Sequence, residues 1–283
     1  MKTKILCIAS LIISIGFFIT ACNKDIATPQ NKTNSDELVV TSENEAIAQM
    51  TFENIDQIAD EAYTSFLSSS VKASTSNGNS LISPCATKTL DTISIPHLLT
   101  IDFGTANCLC NDGKYRRGQI IISFLKHYKD SASVHSTSFN NFYVNNNHIM
   151  GTRSRLNNGR NTAGHWNITT TVNSTIVFAI SGDTLSWNAT HVKEWTQGYW
   201  SPTIWDDIVS ITGNATGTKP NGTSYSKTIL IPLVRHMPCF YFVSGSVQLI
   251  QTNRPTRIIN YGNGNCDPYA TVTVNGVTHV IHL

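Results

Sequence analysis

The C-terminal stretch Thr271-Val272-Thr273-Val274-Asn275-Gly276-Val277-Thr278-His279-Val280-Ile281-His282-Leu283 decides the fold class. Polar and apolar residues alternate before the Asn-Gly pair and an apolar-rich run follows it. Successive side chains of a strand point to opposite faces, so each flank reads as a strand. Asn and Gly tolerate the positive φ that a two-residue hairpin turn requires. The same grammar recurs upstream. Asn145-Asn146-Asn147 separates Phe142-Tyr143-Val144 from Ile149-Met150. Ile176, Phe178 and Ile180 alternate with Val177 and Ala179, then Ser181-Gly182-Asp183 turns the chain toward Leu185 and Trp187. Further turn signals fall at Gly213, Gly217, Asn221-Gly222 and Gly245. From Leu81 onward no helical period is visible. The expectation is an all-β domain over residues 81–283, an antiparallel meander of about ten or more strands whose sheet is open or curled.

Composition agrees with that reading. Only 13% of the 283 residues are charged, 40% are hydrophobic, and the formal net charge is +2. No global field draws such a chain to nucleic acid. Thr, Ser, Asn and Gly must supply the polar surface and the turns, which suits antiparallel sheets with one solvated face.

The N-terminal part is different. Ile55, Ile58, Ala59, Ala62 and Phe66 recur at helical spacing, with Glu53, Asp56, Asp60 and Glu61 between them. Ser42 and Glu45 have capping-box spacing. Residues 42–80 therefore read as an amphipathic helix docked on the β domain, followed by a Ser/Lys/Asn/Gly-rich linker. Residues 22–41 read as a flexible tether.

Met1-Lys2-Thr3-Lys4 is a short basic start, and an apolar run from Ile5 to Ile19 follows it. Together they describe a secretory signal, too short for a spanning helix of about 20 apolar residues. Ile19-Thr20-Ala21-Cys22 resembles the lipobox of bacterial lipoproteins. The resemblance implies removal of residues 1–21 and acylation of Cys22, leaving a lipid-anchored protein in an oxidising compartment. The expected location is the outer membrane, at its periplasmic face or at the cell surface; Lys24-Asp25 offers only one acid of the kind that marks surface display.

Two segments, 84–124 and 238–283, resemble each other. Pro84-Cys85 matches Pro238-Cys239. Phe103-Gly104 precedes Cys108 by the same distance that Tyr261-Gly262 precedes Cys266, and Gly118 and Gly276 follow at equal distances. Repeat symmetry pairs Cys85 with Cys108 and Cys239 with Cys266. Cys110 is the odd thiol, with Cys108 and Cys110 interchangeable as partners of Cys85. An exported protein can keep such bridges.

Asp102-Phe103-Gly104, Cys108, Asp112-Gly113, Arg116-Arg117-Gly118, Ile211–Gly217, Pro232-Leu233-Val234-Arg235 and Val243-Ser244-Gly245 resemble a group of uncharacterised secreted lipoproteins of Bacteroidota. The likeness runs over roughly residues 84–283. It implies a secreted all-β lipoprotein and supplies no activity.

No catalytic constellation stands out. There is no Gly-x-Ser-x-Gly elbow, His-Glu-x-x-His helix or phosphate loop. His279 and His282 face opposite sides of a strand and cannot share an ion. No cofactor and no metal is expected. Asp206-Asp207 with Glu194 are the carboxylates a glycoside hydrolase would need; adjacent acids on a turn are more simply solvated. Lys114, Arg116 and Arg117 read as a solvated basic turn. The most unusual stretch is 187–205, with Trp187, Trp195, Tyr199, Trp200 and Trp205. Trp195, Tyr199, Trp200 and Trp205 are the candidate ligand-binding residues. Gly198, Ser201 and Pro202 place them on a loop, where recognition is often carried. The competing reading makes these rings core. The functional expectation is a non-enzymatic binding module for a glycan or an envelope protein. The alternative is a structural or assembly component of the envelope, with hydrolysis third.

Overall fold

The computed structural model describes residues 34–68, 80–201, 203–218, 223–237 and 239–283. The signal segment, Cys22, the tether as far as residue 33, most of the 68–80 linker, Pro202, Pro238 and the Asn221-Gly222 turn lie outside the described residues. Among the described residues one helix, α1 (Asn34–Ser68), precedes fourteen strands. They are β1 (Thr87–Asp91), β2 (His97–Asp102), β3 (Cys108–Leu109), β4 (Tyr115–Phe124), β5 (Val134–Val144), β6 (Asn147–Arg160) and β7 (Trp166–Val177). Then follow β8 (Thr184–Gln197), β9 (Ile208–Thr218), β10 (Ser224–His236), β11 (Ser244–Gln251), β12 (Arg257–Asn263), β13 (Tyr269–Val274) and β14 (Val277–His282). Every strand pairs antiparallel with its sequence neighbour, except that β3 is a short flap on β4 and β2 pairs with β4 directly. The sheet is an open meander with β1 and β14 at its edges.

Local chemistry explains the strands and turns. Asn145-Asn146 and Asn275-Gly276, all at positive φ, close the β5–β6 and β13–β14 hairpins. In β7, Ile168, Thr170, Val172, Ser174 and Ile176 are buried, while Thr171 and Asn173 are exposed. In β8, Leu185, Trp187, Ala189, His191, Lys193 and Trp195 are buried, while Asn188 and Thr190 are exposed. One face of the sheet is thus solvated by Thr and Asn, and the other is covered. β7 ends at Val177 rather than running on to Ile180; Phe178–Asp183 form the turn, with the Phe178 N–H bonded to the Asp183 carbonyl.

The helix departs from expectation in extent and environment. It begins at Asn34, so the tether reading fails for residues 34–41, and Ser42 lies inside the helix, its hydroxyl bonded to the Leu38 carbonyl at 2.8 Å. Asp36 and Glu37 occupy the first turn, where the helix dipole favours acids. Every residue from Ala48 to Asp60 is buried, acids and amides included. A helix lying on a flat sheet keeps one face in water. Burial on all sides requires the sheet to curl around α1. The helix splits the interior into two apolar clusters. Phe52, Ile55 and Ile58 pack with residues of β2, β4 and β8. Ala46 and Met50 pack with residues of β9–β14. Phe52 stacks on Trp187 at 4.7 Å, so Trp187 belongs to the core.

The disulfides Cys85–Cys108 and Cys239–Cys266 both form, with Cα separations of 6.1 and 5.7 Å, and Cys110 is a buried free thiol. They tie down the two repeat segments beside β3–β4 and β11–β13. The matched glycines are not equivalent. Gly276 is in a hairpin turn with open space around it. Gly118 lies within β4, where a Cβ would come within 1.9 Å of the Asn141 carbonyl oxygen. The basic turn is not solvated either. Arg116 is buried and makes two bonds, of 2.8 and 2.7 Å, to Asp112.

Candidate functional site

Polar and aromatic side chains gather in two assemblies: the ionic seam along α1 and the aromatic loops at the β8–β9 end of the sheet.

The seam follows from composition. α1 carries Asp36, Glu37, Glu43, Glu45, Glu53, Asp56, Asp60 and Glu61, and no Lys or Arg. The covered face of the sheet presents Arg153, Arg155, Lys193, Lys227, Arg235 and Arg257, all buried. Asp56 meets Arg153 at 3.0 Å and Lys193 at 3.3 Å. Lys193 also meets Glu53 at 2.8 Å. Asp60 takes a forked pair of bonds from Arg155, at 2.7 and 3.1 Å. Arg235 donates to Asn54 Oδ1 at 2.6 Å and to Gln57 Oε1. Arg257 donates to Thr41 Oγ1 at 2.7 Å. Burial alone would raise the Asp56 and Glu53 carboxyls. Arg153, Lys193 and Arg155 outweigh it at Asp56, and Lys193 and Arg153 do so at Glu53, so both are held below the usual carboxylate range. Burial pushes the Lys227 ammonium down to about 8 and the His191 imidazole down to about 4, so His191 is neutral. The seam is a closed core in which buried acids and amides of α1 meet buried cations of the sheet. It locks helix to sheet and exposes no reactive group.

The aromatic end is built on β7, β8 and the loop 198–207. Gly198 starts that loop at φ +89°, and a Cβ there would lie 2.3 Å from Asp207 Oδ1. Only glycine fits. Trp195, on β8, is buried, and its indole N–H donates to Asp207 Oδ2 at 2.8 Å. Tyr199 is also buried. Its hydroxyl donates to the Lys129 carbonyl and accepts from Asn157 Nδ2 at 2.8 Å. Trp166 stacks on Tyr199 at 4.8 Å with ring planes 3° apart. Trp200 stands edge-on to both, at 5.2 and 5.0 Å, and is 62% exposed. Trp205 is half-buried.

The four candidates therefore divide. Trp195 and Tyr199 are packed and hydrogen-bonded inward. Trp200 presents its ring to solvent, and Trp205 does so in part. Trp166, distant in sequence, joins the cluster, with the Arg160 guanidinium 5.7 Å from its ring centre. Its place at the head of an alternating strand gave no signal of this role.

The carboxylates nearby have separate partners. Glu194 pairs with His165, both part-exposed. Asp206 is exposed and accepts from the Ser201 hydroxyl at 2.6 Å. Asp207 is buried, contrary to the solvated-turn reading. Burial raises its carboxyl to about 7, against the Trp195 hydrogen bond and Lys129. Among the described residues, no three His, Cys, Asp or Glu side chains gather as a metal site requires, and no helix is long and apolar enough to cross a membrane.

Compared with known proteins, the chain matches no family model, no curated protein and no solved structure.

Proposed function

We propose that this chain is a lipoprotein anchored in the outer membrane through Cys22, and that it serves outside the cytoplasm as a non-enzymatic binding module for glycan. The observation that carries the glycan reading is Trp200: a mostly exposed indole held edge-on against the stacked rings of half-buried Trp166 and buried, hydrogen-bonded Tyr199. A ring fixed before its ligand arrives loses little freedom on binding, which favours affinity. Sugar rings pack their C–H faces on such indoles. Arg160, Glu194 and Asp206 lie around the cluster with polar groups suited to hydroxyls. Trp200→Ala tests this on a glycan array. Binding should fall at least tenfold while the fold is kept, and unchanged binding would end the reading. Cys22→Ser tests the anchor. The variant should move from the detergent phase to the soluble fraction, and continued membrane retention would point to another anchor.

The second reading, a structural or assembly component, draws on the sheet edge. Among the described residues β14 has no strand beyond it, and its Val277 and Val280 are 54% and 70% exposed. An uncovered edge is a template for another strand. Val280→Lys would break such assembly and leave glycan binding intact.

A further inference from the structure

At the end of the strands opposite Trp200, the first half of α1 does not fill the curl of the sheet. A cavity of about 760 Å³ lies there. Its helix wall is Glu37, Val40, Thr41, Asn44 and Glu45, spaced as one helical face. Its other walls are the β7–β8 turn, the start of β10 and the end of β11 with the residues that follow it. The site is graded in depth. Glu45, Phe178, Leu185 and Gln251 are buried at the floor. Val40, Asn44 and Thr184 are half-buried. Ser224, Thr252 and Asn253 are exposed at the mouth. The volume lies within the range of about 300–1,000 Å³ typical of small-molecule sites.

The chemistry of the lining selects a ligand class. Arg254 is paired with Glu37 at 3.0 Å, and Glu45 lies 4.0 Å from the Lys227 ammonium. Asp183, the remaining charged residue of the lining, is exposed to solvent at the β7–β8 turn. The buried charge of the cavity is thus already engaged, and an ionic ligand would find no buried counter-charge free. An apolar ligand would cover Asn44, Thr184, Ser224, Thr252 and Asn253 and strand their polar groups, which is costly. Neutral hydroxyls and amides around a small apolar strip of Val40, Phe178 and Leu185 match a ligand with hydroxyls on its edges and C–H on its faces. We infer that this cavity is a second binding site, taking the end of a short neutral oligosaccharide between α1 and the β7–β8 turn. It stands apart from the Trp200 surface, and neither site depends on the other.

The test uses the full chain in phosphocholine micelles, titrated calorimetrically with maltotriose, cellotriose and N,N′-diacetylchitobiose, and with sialyllactose as the charged control. At least one neutral sugar should bind. Thr184→Trp, which fills the wall, should weaken that binding at least tenfold, and Asn44→Leu at least fivefold. Trp200→Ala should leave it unchanged. If Thr184→Trp fails to fold, Asn44→Leu still decides. The inference is overturned if no neutral sugar binds, if only sialyllactose binds, or if binding survives the cavity variants. It is also overturned if Trp200→Ala removes the same binding; that result would assign the sugar to the aromatic end and leave the earlier proposal standing.

Discussion

Asp56 on the helix and Asp207 in the aromatic loop are both almost fully buried, yet their carboxyls are shifted in opposite directions. Three sheet cations converge on Asp56 and keep it ionised. Asp207 has one indole N–H at 2.8 Å, no hydrogen-bond partner for its Oδ1 among the described residues, and a carboxyl raised to about 7. Burial penalises charge in both places, and the number of nearby cations decides whether the charge survives. The comparison separates the two regions by their supply of cations. Six buried Arg and Lys side chains of the sheet face the acids of α1, whereas Lys129 is the cation that lowers the Asp207 carboxyl against burial.

The largest expected effect breaks the seam. Asp56→Ala leaves Arg153 and Lys193 buried without their shared carboxylate and should cost about 3–5 kcal/mol of unfolding free energy. Urea denaturation measures it, and a loss below about 1 kcal/mol would mean that water reaches the seam.

The next sharpens the contrast through pH. Asp56 and Glu53 have depressed values in the fold, so the stability they contribute is present above the ordinary carboxylate range and is lost as pH falls through and below it. Asp207 is raised, so its contribution is fully present below about pH 4 and is lost as pH rises toward and through about 7. Asp207→Asn should flatten the wild-type decline in stability between pH 4 and 8 and leave the acid limb untouched. An unaltered slope would show that Asp207 is solvated.

The smallest effect on stability belongs to Trp200→Ala. Loss of a mostly exposed ring should cost under about 1 kcal/mol, against about 3–5 kcal/mol for a buried aromatic. A large loss would place Trp200 in the core and remove the basis for recognition at this end.

The aromatic loop was legible because Gly198 and Ser201 interrupt the alternation of β8, but the sharing of roles within it was not. Trp195 and Trp200 look equivalent in sequence. Their burial is set by Asp207 beneath one and solvent above the other. The seam left a signal that amphipathic reasoning overlooks: a helix with acids and no bases, facing strands with single Arg or Lys residues at inward positions. Glu53, Asp56 and Asp60 fall between the apolar positions of α1, which reads as a solvated face when the sheet is taken to lie on one side only.

Strand periodicity, the hairpin turns and the pairing of Cys85 with Cys108 and Cys239 with Cys266 were set by the sequence itself. Alternation and turn chemistry act over two to four neighbouring residues, and the repeat marks equivalent cysteines without reference to space. The curl of the sheet around α1 was decided only in three dimensions. Asp60 meets Arg155 across 95 residues, and Gln57 meets Arg235 across 178. Such compensation of buried charge depends on how far a fourteen-stranded sheet bends, a property summed over all its strands and held in no single stretch of chain.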